Sequence, residues 1–155
     1  MRIKMVFLLL ALTVTAICVA RQPLSFMGDF RGRYVVDEIV GYADISGGEP
    51  TARRLLGQVL VISPNAIDFD GDHCEPNSGF RIKRIKTAPI LKNYYGVTLR
   101  ETGLPARTLL LDSNNCVAVF QMNKYRVVLG SDGVVVRAIR DEIQQPEKRA
   151  VQPSK

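Results

Sequence analysis

The sequence contains no tryptophan, one histidine and only three cysteines among its 155 residues. So few cysteines exclude a disulfide-dense miniprotein, and a hydrophobic content of 46% excludes disorder throughout the chain. The single histidine leaves few ways to build a catalytic triad, and no serine stands in a nucleophile-elbow context. The length suits one domain, and we expect a protein that is not an enzyme.

The first twenty residues have the layout of a secretory signal peptide. Arg2 and Lys4 precede an apolar run, and small residues near Ala20 indicate cleavage after that position. An uncleaved anchor is the alternative, but residues 5–20 fall short of the ~20 residues that cross a bilayer. We therefore expect a periplasmic or secreted protein with no stable membrane span after cleavage.

Removing this leader changes the cysteine and charge balance. A bacterial lipid anchor on Cys18 is an alternative, although Thr15 and Ile17 do not fit the usual lipobox. Without the leader two cysteines remain, Cys74 and Cys116, and an oxidising compartment predicts a disulfide between them. Removal of the two basic residues in the leader lowers the formal net charge from +6 to +4. No basic face with interleaved aromatics stands out, so we expect no nucleic-acid partner.

The mature sequence alternates apolar and polar residues with the period of β-strands. The pattern predicts strands at 33–42, 58–63, 66–70, 80–87, 94–101, 107–112, 116–121, 125–130 and 133–140. One short helix is predicted at 49–56, with Pro50 near its start and Gly57 just past its end. Ile85 has the wrong parity in its strand, which predicts a bulge near Lys83 or Arg84.

Short turns between consecutive strands favour an antiparallel up-and-down β-barrel of about eight strands over residues 21–142. A two-sheet β-sandwich is the alternative. Residues 143–155 contain two prolines and little apolar content, which predicts a disordered tail.

The first strand carries a motif that resembles the lipocalin family. Gly32 and Tyr34 match the G-x-W motif of these barrels, with tyrosine in place of tryptophan. The resemblance implies that an arginine near the last strand packs across this ring, and Arg137 and Arg140 are the candidates. The early helix departs from the family's layout.

A barrel of eight strands can hold one small ligand, which gives the first functional hypothesis. A small apolar molecule would be bound in the barrel. We expect the cavity to be lined by some of Phe69, Phe80, Tyr95, Leu110, Phe120 and Val136.

The second hypothesis is that the outer surface or a loop near Ser78 binds another envelope protein, as an inhibitor or immunity protein against a lysozyme-like cell-wall hydrolase or a secreted toxin. Ser78, followed by Gly79, is similar in outline to the Ser-Gly loop of small secreted lysozyme inhibitors, with Arg81 and Lys83 as nearby basic residues. Ile82 stands where that pattern has tyrosine, and a turn before a strand explains Ser-Gly equally well. The partner, the ligand and the oligomeric state stay open.

An acidic segment around His73 is the last candidate. Asp68, Asp70 and Asp72 have the spacing of a calcium loop, but His73 and Gly79 occupy positions that an EF-hand gives to glycine and glutamate. We predict no metal and no cofactor, and whether this cluster binds a cation stays open.

Overall fold

A computed structural model describes residues 29–43 and 46–144. Within this part the chain forms nine strands, which are β1 (Gly32–Tyr42), β2 (Val59–Ile62), β3 (Ile67–Phe69), β4 (Asp72–Cys74), β5 (Arg81–Lys86), β6 (Arg107–Asp112), β7 (Val119–Gln121), β8 (Arg126–Ser131) and β9 (Val134–Arg140). They form one antiparallel sheet in the order β4-β3-β2-β1-β9-β8-β7-β6-β5. The sheet is curled and barrel-like, so the predicted all-β class is confirmed. The predicted leader and most of the predicted tail lie outside the described residues.

Short helices connect or cover the strands. They are α1 (Gly48–Arg54), α2 (Thr87–Ile90) with a π-helical turn (Leu91–Tyr95), α3 (Leu99–Thr102) and α4 (Asp141–Gln144). The prediction of an early helix is confirmed by α1, which lies between β1 and β2. None of the described helices has the length and hydropathy that a membrane span requires.

The order of the strands gives the sheet two different seams. At the closed seam the first and last strands pair, from Tyr34 opposite Arg140 to Tyr42 opposite Val134, with two register shifts in β1. At the open seam the consecutive strands β4 and β5 are the two ends of the sheet. Every other pair of consecutive strands is hydrogen-bonded, so the meander is interrupted at one place.

The inner face of the sheet holds the larger of two apolar clusters. Ala52 and Leu55 from α1 and its C-cap pack into it beside the strands. Its buried members are Phe30, Tyr34, Val36, Ala52, Leu55, Leu60, Ile62, Ile67, Phe69, Leu111, Val119, Val127, Leu129, Val134, Val136 and Ala138. Because alternate residues of a strand point to opposite faces, β8 and β9 contribute to this cluster at every second position.

The outer face of the sheet is also apolar, which the sequence prediction missed. The segment of α2, the π-helical turn and α3 packs over it. The buried residues of this outer cluster are Leu91, Val97, Leu104, Leu110, Phe120, Val128 and Val135.

Two predictions about local structure are wrong. The predicted strand at 94–101 is instead the end of the π-helical turn followed by α3, where Thr98 and Glu101 form a capping box. The predicted bulge in β5 is absent, since β5 and β6 pair in continuous register from Arg81 to Lys86. Ile85 points to the outer face of the sheet and packs there against the outer cluster, so an apolar residue at this position requires no bulge.

Candidate functional site

The outer face contains a groove between β5, β6 and β7 and the π-helical turn. Its volume is about 430 Å³, within the range of small-molecule sites. The groove is lined by Lys83, Ile85, Ile90, Tyr94, Tyr95, Leu110, Asp112, Asn114, Ala118 and Phe120. We call it the outer groove.

Aromatic side chains fix the shape of the outer groove. Tyr95 meets Phe120 edge to face, with ring centroids 5.9 Å apart. The Tyr95 ring lies over Gly130, where an added Cβ would come within 2.2 Å of it. Burial raises the pKa of the Tyr95 hydroxyl. Tyr94, by contrast, is 78% exposed and stands at the rim.

The polar end of the outer groove is an ion pair across two paired strands. Lys83 Nζ lies 2.5 Å from a carboxylate oxygen of Asp112. This hydrogen bond holds the pKa of Asp112 below its usual range, and the charge of Arg81 acts in the same direction. The groove therefore combines apolar walls with one polar end, the usual arrangement of a ligand site.

The six residues predicted to line a ligand cavity do not lie together. Phe69, Phe80 and Val136 belong to the inner cluster or pack against it. Tyr95, Leu110 and Phe120 belong to the outer cluster or pack against it. The sheet separates these two groups, so the structure does not bring all six residues to one cavity. Tyr95 reaches the outer face because it belongs to the π-helical turn and not to the predicted strand at 94–101.

A second pocket lies beside the disulfide. Cys74 and Cys116 are bonded as predicted, with their Cα atoms 5.7 Å apart. The pocket measures about 390 Å³ and we call it the disulfide pocket. Its lining residues are Ile67, Phe69, Asp72, Cys74, Asn115, Cys116, Val117, Gly130, Ser131 and Asp132. Two carboxylates at its wall make it less suitable for an apolar molecule than the outer groove.

The loop that contains Ser78 is held at its base. Asn115 accepts a hydrogen bond from the backbone N–H of Asn77 (3.0 Å) and donates one to the carbonyl oxygen of Glu75 (2.9 Å). The disulfide adds a covalent link at Cys74. Residues 75–79, which we call the clamped loop, thus present an exposed Ser78 from a fixed base. Asn115 was missed because it reads as an ordinary turn residue.

The two basic residues predicted to act with Ser78 lie on the following strand. Arg81 and Lys83 are exposed and occupy alternate positions of β5, so they share one face. Lys83 is already paired with Asp112.

The residues predicted to close the barrel are divided between two roles. Arg140 lies over the Tyr34 ring, 5.0 Å from its centroid, and donates hydrogen bonds to the carbonyl oxygens of Asp29, Arg31 and Lys124. Gly32 allows this approach, since a Cβ there would meet the Arg140 guanidinium at 3.0 Å. Arg137 instead pairs with Glu38 and donates to the Glu101 carbonyl oxygen.

The three aspartates of the acidic segment do not converge. Asp70 forms an ion pair with Arg54, and Asp68 contacts the Nδ1 atom of His73. The pKa of His73 is raised mainly by its hydrogen bond to Asp68, and the hydrogen bond to Glu75 adds to the effect. Among the described residues no group of three His, Cys, Asp or Glu side chains is placed to hold a metal ion.

Comparison of the chain with protein-family models, curated proteins and solved structures found no match.

Proposed function

We propose that this is an exported binding protein without catalytic activity, which holds a small apolar molecule in the outer groove. The observation that carries the proposal is the meeting of Tyr95, Leu110 and Phe120 in a groove of about 430 Å³. The disulfide supports export, because such bonds persist in oxidising compartments.

The outer groove is favoured over the barrel interior because side chains fill the interior, whereas the groove leaves apolar surface accessible. The inner face is occupied by its own side chains, and Tyr34, Leu60, Val119 and Leu129 are each at most 1% exposed. In the outer groove Tyr94 and the half-buried Ile85, Ile90 and Ala118 leave apolar surface accessible. A ligand there would cover surface that is now in contact with water.

Adjacent residues on opposite faces provide a matched test. Ala118 lines the outer groove, whereas Val117 lines the disulfide pocket. The fluorescence of N-phenyl-1-naphthylamine, a neutral apolar probe, is titrated with the purified protein. We expect Ala118→Trp to fill the groove and weaken binding by about tenfold or more, and Val117→Trp to leave it unchanged. The reverse pattern, or a probe that does not bind at all, would overturn the proposal.

A second function, the binding of another protein, is supported by the clamped loop. A loop held in one conformation before binding loses less entropy when it docks, which is how many inhibitory loops gain affinity. Ser78 would make the central contact, with Arg81 and Lys83 beside it. The partner would be an envelope protein such as a cell-wall hydrolase.

Lysis of bacterial cells by a lysozyme tests this second function. We expect the purified protein to slow lysis, and Ser78→Trp to abolish the effect through steric conflict. Arg53→Ala, an exposed change on α1, is the control that should keep it. If the wild-type protein leaves the rate of lysis unaltered, inhibition of this hydrolase is wrong.

A further inference from the structure

The strand β5 has one side free of a partner strand within the described part of the chain. It stands at the end of the sheet and pairs only with β6, from Arg81 opposite Asp112 to Lys86 opposite Arg107. Six residues is enough for a strand pair of usual length. Exposed edges of this kind are templates for the addition of another strand.

The hydrogen-bond pattern shows which backbone groups point outward. The N–H of Thr87 donates to the carbonyl oxygen of Ala106 at 3.0 Å, one position beyond the last pair of β5 and β6. In an antiparallel ladder, hydrogen-bonded pairs alternate with pairs that are not bonded. The backbone N–H and C=O groups of Lys83 and Ile85 therefore form hydrogen bonds with β6. The N–H and C=O groups of Ile82, Arg84 and Lys86 point to the free side.

The side chains of β5 give this edge a positive charge. Four of its six residues are basic and exposed, and none is acidic. They are Arg81, Lys83, Arg84 and Lys86. Strand alternation places the first two on the outer face and the last two on the inner face. Only Lys83 has its charge balanced across the pair with β6, by Asp112.

This charge pattern selects among possible partner strands. A second copy of β5 would bring like charges together, which is the usual way in which natural edges avoid self-association. An acidic strand would satisfy the same side chains and would also use the outward N–H and C=O groups. The edge is ordered in advance, because Phe80 and Ile82 pack against the inner cluster and the clamped loop precedes them.

We propose that β5 docks an extended acidic segment of a partner protein as an added tenth strand. Main-chain hydrogen bonds would supply affinity and the basic side chains would supply specificity. This docking mode rests on the second proposed function, a protein partner, but it depends neither on Ser78 nor on the outer groove.

Binding of a synthetic peptide tests the charge requirement. The probe is a fluorescein-labelled peptide of alternating glutamate and valine, about seven residues long to match one strand, followed by anisotropy. We expect binding that fails for the lysine-valine analogue. The double variant Arg84→Glu/Lys86→Glu should weaken binding by about tenfold. The control Lys92→Glu/Arg100→Glu makes the same change of charge at exposed residues of the π-helical turn and α3 and should bind as wild type.

Amide hydrogen exchange separates strand addition from simple ion pairing. We expect the peptide to slow exchange at Ile82, Arg84 and Lys86, whose N–H groups point outward, and to change little at Lys83 and Ile85. Binding without this alternation, or equal weakening by both double variants, would overturn the proposal. If the protein inhibits lysis but does not bind the acidic peptide, only the docking of a strand on β5 is rejected. If it binds the peptide but does not inhibit lysis, only the hydrolase as partner is rejected.

Discussion

The two seams of the sheet are held together in different ways. The closed seam joins strands from opposite ends of the sequence by a long backbone ladder, with Arg140 stacked on Tyr34 at its end. The open seam lies between strands that are neighbours in sequence, and there the disulfide and the side chain of Asn115 link β4 and the clamped loop to the loop after β6. Proximity in sequence therefore does not decide where a sheet closes.

The difference has a local cause. β1 and β9 are long and rich in β-branched residues, which suits an extended ladder. β4 has three residues, Asp72 to Cys74, and two of them are exposed. So short a strand has little apolar surface to pack, and covalent and side-chain links take the place of a ladder.

The largest expected effect is at the closed seam. Tyr34→Ala removes a ring that is 1% exposed and the surface on which Arg140 stacks. We expect the free energy of unfolding, measured with urea, to fall by about 4 kcal/mol. Tyr34→Phe is the control; it keeps the ring and loses only the hydroxyl, which donates to the carbonyl oxygens of Phe30 (3.0 Å) and Asp29 (3.4 Å), and it should cost about 1 kcal/mol. We thus expect the closed seam to contribute more to the free energy of unfolding than the open seam. A smaller loss from Tyr34→Ala than from removal of the disulfide would contradict this order.

Removal of the disulfide tests the open seam. The double variant Cys74→Ala/Cys116→Ala frees a loop with a sequence separation of 42 residues, and we expect a loss of about 3 kcal/mol. Reduction of the wild-type protein is the control and should cost a similar amount. Unaltered stability in both would mean that the clamped loop is held by Asn115 alone.

A smaller effect is expected from Asn115→Ala. This change removes the hydrogen bonds to Asn77 and Glu75, which lie at the surface, and we expect it to cost about 1 kcal/mol. Faster amide exchange at Asn77 should accompany the loss. If exchange there stays as slow as in the wild type, the disulfide alone orders the clamped loop.

The smallest effect concerns His73, which links β4 to β3. Its pKa is raised above 6.5 by hydrogen bonds to Asp68 and Glu75, so folding favours the protonated form. This contribution to stability is fully present below that ordinary pKa and is lost as the pH rises through the folded-state pKa. The urea midpoints of the wild type and His73→Gln should therefore converge at high pH. A constant separation across the range would contradict the pKa direction.

The sequence predicted the strands better than the surfaces that cover them. The β-branched runs of β8 and β9, bounded by turn residues, indicated the all-β class, and the pair of cysteines indicated the disulfide. Residues 94–101 were predicted as a strand because their tyrosines and valine suggest one, although Thr98 and Glu101 have the spacing of a capping box. Once that segment is helical, a second apolar face becomes possible and Ile85 has a place.

The candidate site was less predictable because it is formed partly by the helical segment that the sequence did not reveal. The outer groove depends on which face each residue occupies, and Tyr95 reaches Phe120 only because the π-helical turn crosses the sheet. Gly130 gives no sign in the sequence that a ring will lie on it. Such long-range contacts follow from packing and not from any local pattern.

The strand order has a consequence for how the chain could be rearranged. Since β1 and β9 are adjacent, the start and end of the described barrel lie side by side, and Arg33 contacts Asp141 at 2.8 Å. Joining these ends and cutting the chain within residues 75–79 would give strands that run from β5 through β9 and β1 to β4. Every pair of neighbours in the sheet would then also be consecutive in sequence. In topological terms the protein is a circular permutant of a plain nine-stranded meander.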